Sequence, residues 1–254
     1  RWLEDRREQL IAGANCREHY YDITLYAKRD GRILAIDCDA LVDAGAYSSY
    51  PFSACLEGAQ VVSIDRDDCR PPNGAGAVVC DLTDSAEVAA AVAAAHHRTG
   101  RIDIVVHCAG ITRDGPLVRM SDDDWRAVMA ANLDSAFYLL RSTGPLLRAT
   151  GAGAVVLVSS INGERGKAGQ ANYAASKAGL IALGRTTARE WGRHHVRVNV
   201  VSPGWTETPM TAGLPDQLRA RALADTALGR LGRPDEVAGA VLFLCSDESR
   251  HITG

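Results

Sequence analysis

The chain has 254 residues, 46% of them hydrophobic and 23% charged, with a formal net charge of −3; this is ordinary globular material, long enough for a large core in one or two domains. The near-neutral balance and the scarcity of Lys/Arg runs exclude the electrostatic footprint of a nucleic-acid or anionic-membrane binder, and no apolar run approaches the ~20 residues of a membrane span. A small neutral or anionic substrate suits such a chain. The seven cysteines, at positions 16, 38, 55, 69, 80, 108 and 245, form no C-x-x-C pair and read as reduced thiols of a cytoplasmic protein.

The amino terminus, Arg1-Trp2-Leu3-Glu4-Asp5-Arg6-Arg7-Glu8, is unlike a signal peptide. With no initial Met and an end at Ile252-Thr253-Gly254, the chain is expected to be cut at both ends. A charged helix is predicted over Leu3–Ile11. Tyr21–Lys28, the turn Arg29-Asp30-Gly31 and Arg32–Val42 predict a β-hairpin, because Asp-Gly supplies a φ > 0 residue between two alternating segments. The following stretch is irregular, with Pro51 as a breaker, and a change of composition near Leu56–Gly58 separates a segment 1–57 from a domain 58–254.

Beyond Ala59, short apolar runs alternate with longer helical stretches, which predicts βαβ units around a parallel sheet. The runs are Gln60–Asp65, Ala77–Asp81, Ile102–His107, Ala154–Ser159 and Val196–Ser202. Between and after them lie predicted helices at Asp84–Thr99, Ser121–Thr150, Ala171–His194 and Pro234–Cys245. A further short helix over Leu214–Leu228 reads as a lid.

Tyr173 and Lys177 stand four apart in the predicted helix Ala171–His194, with Ser160 thirteen positions before the tyrosine. Residues four apart share a helix face with Cβ atoms roughly 5–6 Å from each other, so an ammonium sits beside a phenol. A free phenol titrates near ~10, and a unit charge at ~4 Å in an effective dielectric of ~20 contributes about 4 kcal/mol, roughly three pK units. The pairing thus predicts a tyrosine drawn towards neutrality. A Tyr-x-x-x-Lys pair alone also occurs on ordinary amphipathic helices. Here it has company: Ser160 ends an apolar run, Asn132 is a polar residue within a helix, and Cys108-Ala109-Gly110 follows a strand, where a parallel sheet places its ligand crevice.

These motifs stand in order with Val78-Val79-Cys80-Asp81-Leu82, Ile111-Thr112-Arg113-Asp114-Gly115, Pro203-Gly204-Trp205-Thr206-Glu207-Thr208 and Gly232-Arg233-Pro234-Asp235-Glu236. Over residues 58–254 the chain resembles the short-chain dehydrogenase/reductase family, and through Ile111–Leu117 most closely the 3-oxoacyl thioester reductases. The resemblance implies a Rossmann-like, doubly wound α/β fold and hydride transfer between NAD(P) and a keto or hydroxy group. It implies Tyr173 as general acid/base, Ser160 orienting the reacting oxygen, Lys177 lowering the tyrosine pKa and holding the nicotinamide ribose, and Asn132 positioning a proton-relaying water. It further implies adenine contacts from Asp81 and Leu82, space for the ribose at Ala109 and Gly110, and a nicotinamide site at Pro203, Gly204, Thr206 and Thr208. A homodimer or homotetramer formed through the two long helices is also implied. Asp65, at the end of the first run, can accept hydrogen bonds from adenosine ribose hydroxyls and repel a 2′-phosphate, which favours NAD. Arg66 beside it can bind that phosphate, which favours NADP.

Two departures from the family stand out. Cys108 replaces an expected Asn, a change expected to cost some stability. The Gly-x-x-x-Gly-x-Gly turn that should open the first helix and admit the pyrophosphate is absent, so dinucleotide affinity is expected to fall. Residues 1–57 resemble instead a piece of the molybdenum-cofactor-binding subunit of the xanthine dehydrogenase/aldehyde oxidase family, through Trp2–Glu8, Asp30–Ala35 and Val42–Ser48. The chain therefore reads as a junction of two unrelated segments. The sheet would lack its central first βα unit, and Ile33–Ile36 is one candidate to fill the slot, the hairpin being its rival. Three functional readings stay open: the NAD(P)-dependent oxidoreductase, a catalytically silent module that keeps the family's oligomerisation surfaces, and a molybdenum hydroxylase fragment. No metal site is indicated.

Overall fold

The computed structural model describes residues 20–27, 33–41, 61–66, 76–208, 211 and 215–254. The chain divides into two compact units, Arg1–Val62 with Pro72–Gly76 and Ser63–Pro71 with Ala77–Gly254. In the first, β1 (Tyr20–Ala27) and β2 (Ile33–Leu41) pair antiparallel from Tyr20↔Leu41 to Ala27↔Ile33, with a shift of register between Tyr26 and Ala27. This is the predicted hairpin. Ile33–Ile36 is thereby committed to β1 in a two-stranded sheet of its own, which overturns the expectation that it fills the vacant central slot. A strand separated from its partner by five residues closes a short loop at small entropic cost, whereas the slot would demand a longer closure. The predicted helix Leu3–Ile11, the Asp30-Gly31 turn and the composition boundary lie outside the described residues.

Further along the chain, β3 (Val62–Asp65) and β4 (Gly76–Val79) form one ladder. The Gly76 amide donates to Val61 O and the Cys80 amide to Asp65 O, each at 2.8 Å, so the two strands run parallel. A second ladder, β5 (Ile104–His107), β6 (Gly153–Val158) and β7 (Val196–Val201), is parallel throughout, with Val105↔Val155 and Val155↔Val198 in register. The continuous Val/Leu content of β6 suits a strand with both faces covered. Among the described residues no strand joins the two ladders, and Val79 and Val106 stay 62% and 39% exposed. This is the doubly wound sheet without its first βα unit.

The helices are cut where their termini dictate. Asp84 caps α1 (Ser85–Thr99) by accepting from the Ala86 and Glu87 amides, and Gly100, at φ 75°, ends it in the left-handed region. Ser121 caps α2 (Asp122–Met129) through the Asp124 amide. The single helix expected over Ser121–Thr150 is instead interrupted: α2 passes through a π-turn at Ala130–Asp134 before α3 (Ser135–Thr150). The Ser135 hydroxyl donates back to Ala131 O at 2.7 Å, the kind of local bond that competes with the regular ladder, and π-turns gather at functional positions. There follow α4 (Ile161–Arg165), α5 (Ala171–Trp191), which ends in one tight turn at Gly192–His194, α6 (Asp216–Ala224) and α7 (Pro234–Cys245). The predicted lid is shorter than its sequence pattern, spanning α6 alone.

One apolar cluster joins Val88 and Val92 of α1, Leu139 and Leu147 of α3, and Leu180 and Trp191 of α5 to Val105, Val155, Leu157 and Val198 of the sheet. Each buried side chain of this size contributes roughly 1.5–3 kcal/mol. Close approach of α5 to β7 depends on Gly184, where a Cβ would stand 2.5 Å from Val200 Cγ2. This packing sets the C-terminal ends of β5, β6 and β7 beside the first turns of α5.

Candidate active site

Ser160 follows β6 in extended conformation (φ −161°, ψ 152°) and caps α4, its Oγ accepting from the Asn162 amide at 3.2 Å. Tyr173 lies in the first turn of α5, with Ser160 near enough to its phenol to act on its pKa. Lys177, one turn on, is 3% exposed, places Nζ 5.7 Å from the Tyr173 ring centroid and donates to Val158 O at 2.8 Å. Ser160, Tyr173 and Lys177 are therefore assembled as their spacing predicts.

The electrostatics differ from the sequence-based expectation. Burial pushes the Tyr173 phenol above its ordinary value; the Ser160 side chain pulls it back, and the Asp114 carboxylate pushes it further up. Lys177 is not among the groups that move the tyrosine, and the cost of burying a phenolate prevails. Burial also draws Lys177 itself down to about 8, a shift that Cys108 opposes. Cys108 is exposed as a residue, yet burial of its thiol raises its pKa while Lys177 lowers it.

Asn132 sits inside the π-turn and is wholly buried. Its Oδ1 accepts from the Ile111 amide at 2.8 Å, and its Nδ2 donates to Ile111 O at 3.1 Å and Ser176 Oγ at 3.0 Å. The side chain thus ties the loop after β5 to the residue before Lys177. Gly110 lies between them: a Cβ there would stand 3.2 Å from Lys177 Nζ and 3.4 Å from Asn132 Oδ1.

The remaining expected residues lie on other strand ends and loops. Ala109 and Gly110 follow β5 and are half-buried. Asp65 ends β3 with its carboxylate accepting from the Arg66 amide at 2.7 Å. Asp81, after β4, accepts from the Thr83 amide and hydroxyl, bonds that hold its carboxyl below the usual range, and Leu82 packs on the core. Pro203 O accepts from the Ile161 amide at 3.0 Å, which ties the loop after β7 to the Ser160 turn. Gly204 is exposed, Thr206 bridges to Gly232, and the Thr208 amide donates to Thr211 Oγ1 at 2.9 Å. A cavity of about 520 Å³ opens beside this loop, lined by Ile161, Arg165, Trp205, Leu228 and Val237 among others. Tyr173 and Lys177 do not line it, so it adjoins the turn after Ser160 without containing that pair.

Several supporting residues escaped the sequence reading. Ser159 Oγ donates to Lys177 O at 2.7 Å, and Asn172 donates to Arg113 O at 2.9 Å while accepting from the Tyr173 amide at 2.7 Å. Gln170 links Asn162 to Asp114 with bonds of 2.9 and 2.8 Å. Gly163 has no room for a side chain, since a Cβ would be 2.8 Å from the Lys177 carbonyl carbon. The available signal was a density of Asn, Ser and Gln at the start of an otherwise apolar helix, residues that a core tolerates only when satisfied.

Comparison with known proteins agrees with this geometry. The family profile described as Enoyl-(Acyl carrier protein) reductase matches residues 54–254, and that of the Molybdopterin cofactor-binding domain matches residues 1–65. Among curated relatives, the 3-oxoacyl-(acyl-carrier-protein) reductase of Thermotoga maritima is 46% identical over 176 residues, covering 69% of this chain and 72% of the relative. Its Escherichia coli counterpart is 42% identical over 197 residues, covering 78% and 79%. A (3R)-3-hydroxyacyl-CoA dehydrogenase of Canis lupus familiaris is 47% identical over 152 residues, covering 59% of each chain. By these matches the chain belongs to the short-chain dehydrogenase/reductase family of oxidoreductases.

Proposed function

We propose that the protein interconverts a 3-oxoacyl thioester and its 3-hydroxy counterpart with a nicotinamide dinucleotide. The observation that carries the reading is the approach of the Ser160 and Tyr173 side chains beside the buried Lys177; the names of the relatives supply the substrate class. A phenol held above its ordinary pKa is protonated at neutral pH, which suits it to give its proton to the oxygen of a ketone under reduction. Ser160 orients that oxygen. Lys177 holds the ribose and, with Asn132, returns a proton towards Tyr173.

The residues fit the ribose and nicotinamide half of the cofactor: the bare backbone at Gly110, facing Lys177 Nζ and Asn132 Oδ1, is a cradle that any Cβ would crowd. Ala109, Gly110, Tyr173, Lys177, Pro203, Gly204, Thr206 and Thr208 would line this half, and Asp65, Asp81 and Leu82 the adenosine half. When bound, the nicotinamide supplies or takes up the hydride. Asp65 supports NAD over NADP, with Arg66 as the opposing feature. We place the enzyme in the cytoplasm as a homodimer or homotetramer, and read residues 1–57 as a segment of different origin from 58–254.

A second reading, the catalytically silent module, is favoured by the missing glycine-rich turn and by the separation of the β3–β4 and β5–β6–β7 ladders. Fluorescence titration with NADH and NADPH, followed by an assay on an acetoacetyl thioester, separates the two. Saturable binding and turnover support the enzyme; no binding of either nucleotide at millimolar concentration rejects it. With turnover in hand, Tyr173→Phe should lower kcat by about 10²–10⁴-fold with nucleotide affinity retained, and a fully active variant would refute the role of Tyr173.

A further inference from the structure

His107, the last residue of β5, is 2% exposed and plays no part in the chemistry above. Its Nε2 lies 2.8 Å from Ser135 Oγ, and Ser135 Oγ lies 2.7 Å from Ala131 O. A serine hydroxyl carries one proton and a carbonyl carries none, so the Ser135 proton goes to Ala131 O and the ring must donate from Nε2–H. The opposite assignment would press two acceptors together. Nδ1 then holds the bare lone pair, and it has no hydrogen-bond partner.

The chain of bonds ends on the π-turn that carries Asn132. Asn132 in turn grips both backbone groups of Ile111 and the hydroxyl of Ser176, which donates to Tyr173 O at 2.8 Å. The end of β5, the π-turn, the loop after β5 and the first turns of α5 are thus closed into one polar circuit. An Ala131 carbonyl lifted out of the regular ladder needs a donor. Ser135 supplies it, and His107 fixes which way the Ser135 proton points.

We infer that His107, in its Nε2–H tautomer, is a positioning residue that holds the π-turn so that Asn132 spans Ile111 and Ser176 beside Lys177. Its catalytic consequence rests on the reading of the enzyme given above; its structural consequence does not.

The test compares His107→Leu, which removes the donor, Ser135→Ala, which removes the relay with little change of volume, and His107→Gln, which returns an N–H near the position of Nε2. Amide hydrogen exchange in the full chain without nucleotide reads the circuit directly, since the Ile111 amide donates to Asn132. We expect Ile111 to exchange at least tenfold faster in His107→Leu and Ser135→Ala, the β6 amides of Val155 and Val156 to keep their rates, and His107→Gln to recover most of the protection. Histidine ¹⁵N spectra should show protonated Nε2 and bare Nδ1. If the thioester assay gives turnover, kcat should fall about tenfold in His107→Leu and Ser135→Ala with substrate KM unchanged. The inference is overturned by unchanged Ile111 exchange in folded Ser135→Ala, by a uniform acceleration of all amides, which marks general destabilisation, or by the Nδ1–H tautomer. Should His107→Leu fail to fold, Ser135→Ala and the tautomer decide, and both remain decisive if no turnover is found.

Discussion

Lys177 offers the most quantitative check on the electrostatics. Its pKa falls from 10.5 to about 8 because an ammonium is held almost out of water. At ~1.36 kcal/mol per pK unit, that shift corresponds to about 3 kcal/mol of folding free energy given up wherever the lysine is charged in the folded state. Below about pH 8 both folded and unfolded chains hold the proton, and the folded state carries the whole cost. Between about 8 and 10.5 the folded chain has released the proton while the unfolded chain retains it, so stability climbs with pH; above 10.5 the gain is complete. Lys177→Met keeps the length of the side chain and removes the charge, together with the bond to Val158 O, whose loss costs about 1–3 kcal/mol. The variant should therefore unfold near the wild-type urea midpoint at pH 7 and fall behind it as pH rises. Urea unfolding followed by far-ultraviolet circular dichroism at pH 7, 8, 9 and 10 measures the difference between the two proteins, in which the other titrating groups cancel. A difference constant across this range would refute the burial argument.

Other perturbations probe separate links. Asp65→Ala should lower the preference for NADH over NADPH, read as the ratio of their dissociation constants; an unchanged ratio would remove Asp65 from cofactor selection. Ser159→Ala loses the bond to the Lys177 carbonyl, which keeps its partner within α5, so chemical denaturation should show a loss of about 0.5–1.5 kcal/mol, and a loss above about 3 kcal/mol would mean that Ser159 does more than brace α5. Gly184→Ala drives a methyl into Val200 and should cost about 1–3 kcal/mol. Adding Val200→Ala should recover part of that cost, and strict additivity in the double-mutant cycle would show that the two positions do not press on each other.

Strand and helix periods along residues 60–254 made the α/β architecture legible, and the start of α1 and the limits of α7 follow their capping residues closely. The hairpin was legible too, because Asp30-Gly31 between alternating segments leaves few alternatives. The break in Ser121–Thr150 was not. The apolar spacing runs on through Ala130–Asp134 without a Gly or Pro, and the π-turn goes with Ser135 bonding back to Ala131 O beside a buried histidine that is 28 positions away in sequence. The circuit through His107, Ile111, Asn132 and Ser176 has the same character: each residue alone reads as a neutral polar filler.

Residue order alone thus carries the chemical identity of the site. Ser160, Tyr173 and Lys177 have spacings that one strand, one turn and one helix convert into proximity with little freedom, so local geometry suffices. The charge state of that site is a different matter. Whether Lys177 lowers the Tyr173 pKa or burial raises it depends on how much water is excluded around the phenol. Desolvation is a property of everything packed around a group, contributed by strands and helices far apart in the chain, and only the folded arrangement sums it.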